Sequence, residues 1–174
     1  MGWINVEIKA SCLDIEKLAQ ILAEHQADYK GEDHQIDTYF NVPNGRLKLR
    51  EGNIENALIH YHRDNQIKPK TSSITYYKPG DSKDLKATLT EALGIKIVVD
   101  KRRKIFFINN IKFHLDRVKE LGTFVEIEAI DENGTIGQAL LQKQCYQYME
   151  ILGIGEEDLL AISYSDLLLE QSIG

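Results

Sequence analysis

Three short stretches of the chain alternate strictly between polar and apolar residues. Asn5-Val6-Glu7-Ile8-Lys9 sets three polar groups against two apolar ones, and Arg46-Leu47-Lys48-Leu49-Arg50 and Phe124-Val125-Glu126-Ile127-Glu128 do the same. A period of two is that of a strand whose faces meet different surroundings. Further strands are predicted near 35–41, 57–63, 73–79, 95–108 and 111–118. Turn signals separate several of them, at Pro43-Asn44-Gly45, at Asn109-Asn110 and at Gly122. About eight strands result, the number that closes a small barrel.

Helical patterns fill the gaps. Asp14 is placed to cap a helix over 14–27, with Ile15, Leu18, Ala19 and Leu22 on one stripe. A second is predicted over 81–93, stopped by Gly94, and a third over 139–152, stopped by Gly153. A last one starts near Ser163 and runs through Leu167, Leu168 and Leu169. No repeat, low-complexity tract or linker divides the sequence, so one α+β domain is expected over 1–174.

The polar face of a half-buried sheet normally meets water. Here the helical segments could instead cover the apolar faces and turn the charges inward. A lumen of Lys, Arg and Glu is costly unless it is hydrated, mutually paired and filled by a charged ligand. Spacing alone leaves both arrangements open.

Composition narrows the class. The 174 residues are 43% hydrophobic and 28% charged, which is globular. Twenty-one basic against twenty-seven acidic residues give a net charge of −6, the wrong sign for a general nucleic-acid binder. No apolar run approaches the ~20 residues that span a bilayer, and Glu7 and Lys9 interrupt the N-terminal stretch, unlike a secretory signal. Cys12 and Cys145 lie far apart and read as reduced thiols. A cytoplasmic protein is expected, with neither a nucleic acid nor a membrane as partner. Neither GxxxxGK nor GxGxxG occurs, so there is no P-loop.

These residues resemble the CYTH superfamily, the triphosphate tunnel enzymes. The 5–9 stretch is similar to the family's N-terminal ExExK signature. The match continues in family order through Gln35-Ile-Asp-Thr-Tyr-Phe40, Gly45-Arg-Leu-Lys-Leu-Arg-Glu51, Tyr61-His-Arg63 and Pro69-Lys-Thr-Ser72. It runs on through Val99-Asp-Lys-Arg-Arg103 and His114-Leu-Asp-Arg-Val-Lys-Glu-Leu-Gly122 to Phe124-Val-Glu-Ile-Glu128. The resemblance implies an eight-stranded antiparallel closed β-barrel with helices outside it, whose tunnel binds a triphosphate with Mg²⁺ or Mn²⁺.

Carried over residue by residue, the resemblance implies that Lys9, Lys48, Arg50, Arg63, Lys78, Lys101 and Arg103 face the triphosphate. It makes Glu7, Glu126 and Glu128 metal ligands, with Asp116 and Asn5 as further candidates. The catalytic set is Glu7, Lys9, Glu126 and Glu128. Seven cations against four carboxylates, Glu7, Asp116, Glu126 and Glu128, leave a cavity charge of +3. Asn5 departs from the family, which has a carboxylate there; its amide offers a carbonyl oxygen but no charge. His114 shares a face with Asp116 and is expected at a tunnel mouth. His60 and His62, which could chelate Zn²⁺ or Ni²⁺, should face outward if Tyr61 and Arg63 face in. Within the basic run 101–104, Arg102 and Lys104 should also lie outside.

The wording of the motifs is most similar to class IV adenylate cyclases, which convert ATP to cyclic AMP and pyrophosphate. Inorganic or thiamine triphosphatase is the alternative, and a non-catalytic binder of nucleotides or polyphosphate the third. The partner is a nucleoside, inorganic or organic triphosphate. A homodimer is left open.

Overall fold

The computed structural model describes residues 2–63 and 66–173. Its elements are, in chain order, β1 (Gly2–Ser11), α1 (Ile15–Glu24), β2 (Asp28–Phe40), β3 (Arg46–Glu51), β4 (Ala57–Arg63), β5 (Lys70–Tyr77), α2 (Lys83–Leu93), β6 (Ile95–Ile108), β7 (Ile111–Val118), β8 (Gly122–Asp131), α3 (Gln138–Ile151) and α4 (Tyr164–Ile173). A single 3₁₀ turn at Glu156–Asp158 precedes α4. The strands close a barrel in the order β1-β5-β4-β3-β2-β6-β7-β8, every pair antiparallel.

Local chemistry sets the corners. The carboxylate of Asp14 accepts from the backbone N–H of Lys17 at 3.1 Å and starts α1. Gly94, at φ +76°, ends α2 by donating to Thr90 O. Asn109, at φ +52°, turns β6 into β7 in two residues, so that Ile108 pairs with Ile111. Gly45 opens β3 at φ +64°, and a Cβ there would meet Tyr61 O at 2.8 Å.

The helices cover one side of the barrel. Val6, Ile8, Phe113, Leu115, Val125 and Ile127 point outward from β1, β7 and β8 into a core with Leu18 and Leu22 of α1 and Leu141, Cys145 and Met149 of α3. With that wall sealed by apolar contact, Asn5, Glu7, Lys9, His114, Asp116 and Glu126 have only the lumen left, and all are buried. Cys145 lies in this core with its thiol on Val6 O at 3.2 Å; burial pushes the thiol up to about 12. Both cysteines are free. α4 instead lies across one mouth of the barrel, where Tyr164 and Leu168 cluster with Tyr39, Tyr61, Val99, Val118 and Phe124.

One strand departs from expectation. β5 runs over 70–77 rather than 73–79, because the strand begins directly after Pro69, whose missing N–H makes it a boundary rather than an interior residue. That shift brings Lys70 into the lumen at 1% exposure and leaves Lys78 exposed beyond the strand. No helix among the described residues is long and apolar enough to cross a membrane.

Candidate functional site

The lumen has two chemically different walls. On β2, β3 and β6 the charges gather about Asp37, which is 1% exposed. Arg50 donates to it twice, from Nε and Nη2, both at 2.8 Å, in the planar fork that a carboxylate matches. Lys101 Nζ reaches the same carboxylate at 2.7 Å and Lys48 Nζ at 3.2 Å. Burial pushes the Asp37 carboxyl up, but Arg50, Lys101 and Lys48 outweigh it and hold the group well below the usual carboxylate range. Lys101 fares the other way: burial, with Arg50 and Arg103 adding to it, outweighs Asp37 and brings the ammonium down to about 7.

A second carboxylate comes from the turn after β3. Ile54 and Glu55 each donate a backbone N–H to Asp33 at 2.9 Å. That turns Glu55 into the lumen, where it accepts from Gln35 at 2.9 Å and from Lys112, and pairs with Arg50 at 3.4 Å.

On β1, β7 and β8 lie the expected ligand residues. Register sets Glu7 beside Glu128, and Glu126 between Lys9 on β1 and His114 on β7. Arg103 reaches across from β6. It donates to Asp116 at 2.7 Å from both Nε and Nη2, and to Glu126 at 3.1 Å. Burial raises the Glu126 carboxyl, and Lys9 and Arg103 more than offset it, so the group is held well below its usual range. The amide of Asn5 donates to Glu128. Four atoms of this wall are buried without a hydrogen-bond partner, Trp3 Nε1, Asn5 Oδ1 and both ring nitrogens of His114.

The mouth under α4 is closed by contacts to these same charges. The Tyr164 hydroxyl donates to Asp116 at 2.7 Å, and Lys9 Nζ stands 4.1 Å from the centre of the Tyr164 ring. Lys70 Nζ donates to Ala161 O at 2.6 Å, and Arg46 pairs with Asp166 at 2.8 Å.

The structure thus brings together Lys9, Lys48, Arg50, Lys101, Arg103, Glu7, Asp116, Glu126, Glu128 and Asn5. Lys78 is not among them: it lies past the strand end, 5.7 Å from the Tyr76 ring centre. The backbone of Arg63 ends β4, and its side chain lies outside the described residues. His114 is at 3% exposure in the lumen rather than at a mouth. Asp116 has both oxygens engaged by Arg103 and Tyr164, which makes it an anchor for the guanidinium more than an open ligand. His60 lies on the outer face, bonded to Asn44 O, with His62 exposed beside it; Arg102 is exposed and Lys104 pairs with Glu16 of α1.

Sequence reasoning missed Lys70, Lys112, Asp33, Asp37 and Glu55. Asp37 stands inside a quoted motif, two residues from Gln35 and on its face, so alternation could have found it. Glu55 sits in a turn, where no period applies. Asp33, Asp37 and Glu55 cancel the expected surplus of +3: Lys70 and Lys112 take the places of Lys78 and Arg63, and cations and carboxylates are equal in number among the described lumen residues.

Asn5, Glu7, Glu126 and Glu128 fit a hard divalent ion by the chemistry of the donor set, all oxygen, with the orphaned Asn5 Oδ1 among them. Among the described residues no three His, Cys, Asp or Glu side chains already stand gathered as a cage.

The CYTH domain family matches residues 4–164 of the chain. No curated protein matches it. Among solved structures, the PH1012 protein of Pyrococcus horikoshii superposes with a TM-score of 0.80 at 24% identity, over 94% of this chain and 98% of that one. A candidate adenylate cyclase of Vibrio parahaemolyticus gives 0.75 at 18% identity, over 97% and 99%. A candidate adenylyl cyclase of Hippeastrum with a dominant triphosphatase activity gives 0.61 at 13%, over 98% and 95%. At these identities the likeness is one of fold.

Proposed function

The chain belongs to the CYTH domain family, and from that premise we propose that it is a divalent-metal-dependent enzyme that cleaves a triphosphate held in the barrel. The observation that carries the reading is the buried cation cradle of Arg50, Lys101 and Arg103, with Lys48, Lys9 and Lys70 beside it. Six cations in one lumen suit a chain of phosphates, with the guanidinium forks each able to pair with two oxygens. Their present carboxylate partners keep them aimed inward, and a phosphate chain competes with those carboxylates for the same N–H groups.

An ion held by Glu7, Glu126, Glu128 and the Asn5 carbonyl would neutralise phosphoryl charge and help orient the reacting phosphorus. Arg103 ties the two functions together, since one guanidinium contacts Glu126 on the acidic wall and faces the cradle. Arg63, by the family motif, joins the phosphate set.

Between the two chemistries, hydrolysis of the terminal phosphate of a small triphosphate takes first place. Tyr164 and Leu168 lie across the mouth next to the cradle, and Glu55 pairs with Lys112 toward the other end, contacts that a nucleoside entering the lumen would have to displace. Cyclisation of ATP is the second reading, supported by the wording of the 114–128 motif. Incubating the protein with tripolyphosphate, thiamine triphosphate and ATP, each with Mg²⁺ or Mn²⁺, tests both. Orthophosphate supports hydrolysis, and cyclic AMP with pyrophosphate supports cyclisation. Tight binding without turnover overturns the enzymatic reading.

A further inference from the structure

His114 is the one imidazole in the lumen among the described residues, and nothing in the proposed cleavage uses it. It is 3% exposed, and both ring nitrogens are buried without a hydrogen-bond partner. Nδ1 stands 3.8 Å from Glu126 Oε2 and Nε2 stands 4.0 Å from Glu128 Oε2. Both separations are too long for a hydrogen bond. A buried polar ring left in this state is costly, by about 1–3 kcal/mol per unsatisfied group, unless another partner takes it up. The two nitrogens of one ring point apart, so an ion takes only one of them, and the separation of Nδ1 from Glu126 Oε2 suits two atoms that share an ion. With bonds of about 2.1 Å, two donors on one ion stand roughly 3 to 4.2 Å apart. Asn5 Oδ1, orphaned on the neighbouring strand, is a further donor of the same kind.

We infer that His114 is a nitrogen ligand of the metal site on the β1–β7–β8 wall, and that this makes the site selective for a first-row transition ion, Mn²⁺ or Co²⁺, over Mg²⁺. The inference rests on the reading that Glu126 and Glu128 are metal ligands. The donor chemistry explains the selectivity. Mg²⁺ is served by oxygens alone and keeps its waters, whereas imidazole binds the later divalent ions more strongly. Asn5 acts in the same direction, since a neutral amide in place of a carboxylate lowers the charge that an all-oxygen Mg²⁺ site would use. As the side chains stand, Arg103 holds Glu126 and Asn5 holds Glu128, so the carboxylates close on an ion by rotating away from those partners.

The test is pulsed electron paramagnetic resonance on the purified protein loaded with Mn²⁺ alone, without any triphosphate. The expected result is a ¹⁴N coupling to the bound ion that disappears in His114→Gln, which keeps the size of the side chain and removes the imidazole. The ratio of Co²⁺ to Mg²⁺ affinity, from calorimetry on the same two proteins, should fall by at least about tenfold. Bound Mn²⁺ without nitrogen coupling overturns the role of His114, and so does a coupling that persists in His114→Gln, which would place the ion on another histidine. The thermal shift given by tripolyphosphate with Mg²⁺ is read in parallel. If that shift is present while the nitrogen coupling is absent, the triphosphate reading stands and this one fails. If Mn²⁺ does not bind at all, this inference fails whatever the shift.

Discussion

The two walls of the lumen solve the same problem differently. On β2, β3 and β6, Asp37 serves Arg50, Lys101 and Lys48 at once, and Glu55 serves Gln35, Arg50 and Lys112. Gln35 Oε1 and Thr38 Oγ1, both of β2, are the buried side-chain atoms there left without a partner. On β1, β7 and β8, helices seal the outside, yet Trp3 Nε1, Asn5 Oδ1 and both nitrogens of His114 are left without partners inside. The charged groups of the first wall are paired with one another without a ligand. The second is rigidly packed from behind and incomplete in front, which is the condition of a site that waits for one. The difference teaches that a charged lumen is not by itself a binding site; unsatisfied atoms mark where the ligand supplies the missing contacts.

The largest expected effect comes from breaking the self-paired wall. Asp37→Asn leaves the buried Arg50 and Lys101 and the half-buried Lys48 without their shared counter-charge, and removal of one partner of a buried pair costs about 3–5 kcal/mol. Urea unfolding should show it; a loss below about 1 kcal/mol would mean that water already screens the cluster.

Breaking the incomplete wall should act first on function. Glu128→Gln is expected to keep the melting temperature within a few degrees, Glu126→Gln to lower it through the lost pair with Arg103, and both to lower metal-dependent turnover by about 10²-fold or more. Asn5→Glu should lower stability without metal, since it sets a carboxylate against Glu128, and raise the stabilisation gained from Mn²⁺. Equal metal dependence in all three variants and the parent would place the ion elsewhere.

A finer effect follows from Lys101. Its ammonium, at about 7 in the folded protein against about 10.4 when unfolded, is lowered on folding. Between these values the unfolded chain binds the extra proton, so this group's contribution to stability rises with pH across that window. A bound polyanion favours the charged ammonium, so binding near pH 8 should take up a proton. Calorimetry in buffers of different ionisation enthalpy reads that uptake directly, and no buffer dependence would show Lys101 remote from the ligand. The smallest change expected is Tyr164→Phe, which removes one hydrogen bond to Asp116 at about 1 kcal/mol, and is read by thermal melting.

Much of the barrel was legible because alternation records two-sidedness. β1, β3 and β8 carry it cleanly, and it sets Glu7, Lys48, Arg50 and Glu126 each on the face opposite its strand's apolar residues; that this face turns inward was implied by the CYTH resemblance. The limits were of two kinds. A period of two fixes which residues share a face but not where a strand begins, so reading β5 three residues late exchanged Lys70 for Lys78. Contacts made by turns and by the tail have no period at all. Glu55 enters through backbone N–H groups bound to Asp33, and Tyr164 enters because α4 lies across a mouth, and neither signal exists in the local sequence.

The balance of charge found in the lumen gives the most direct test of the central claim, that the basic wall holds a triphosphate only in company with a metal on the acidic one. Thermal melts are compared for the parent and Glu126→Gln, with tripolyphosphate alone, with Mn²⁺ alone and with both. At ligand a hundredfold above Kd, the complex should gain about 2.7 kcal/mol, a rise of roughly 5–10 °C for a chain of this size. The account predicts that rise in the parent with both present, a much smaller one with either alone, and its loss in Glu126→Gln. No rise at millimolar tripolyphosphate and Mn²⁺, or the same rise in both proteins, would contradict it.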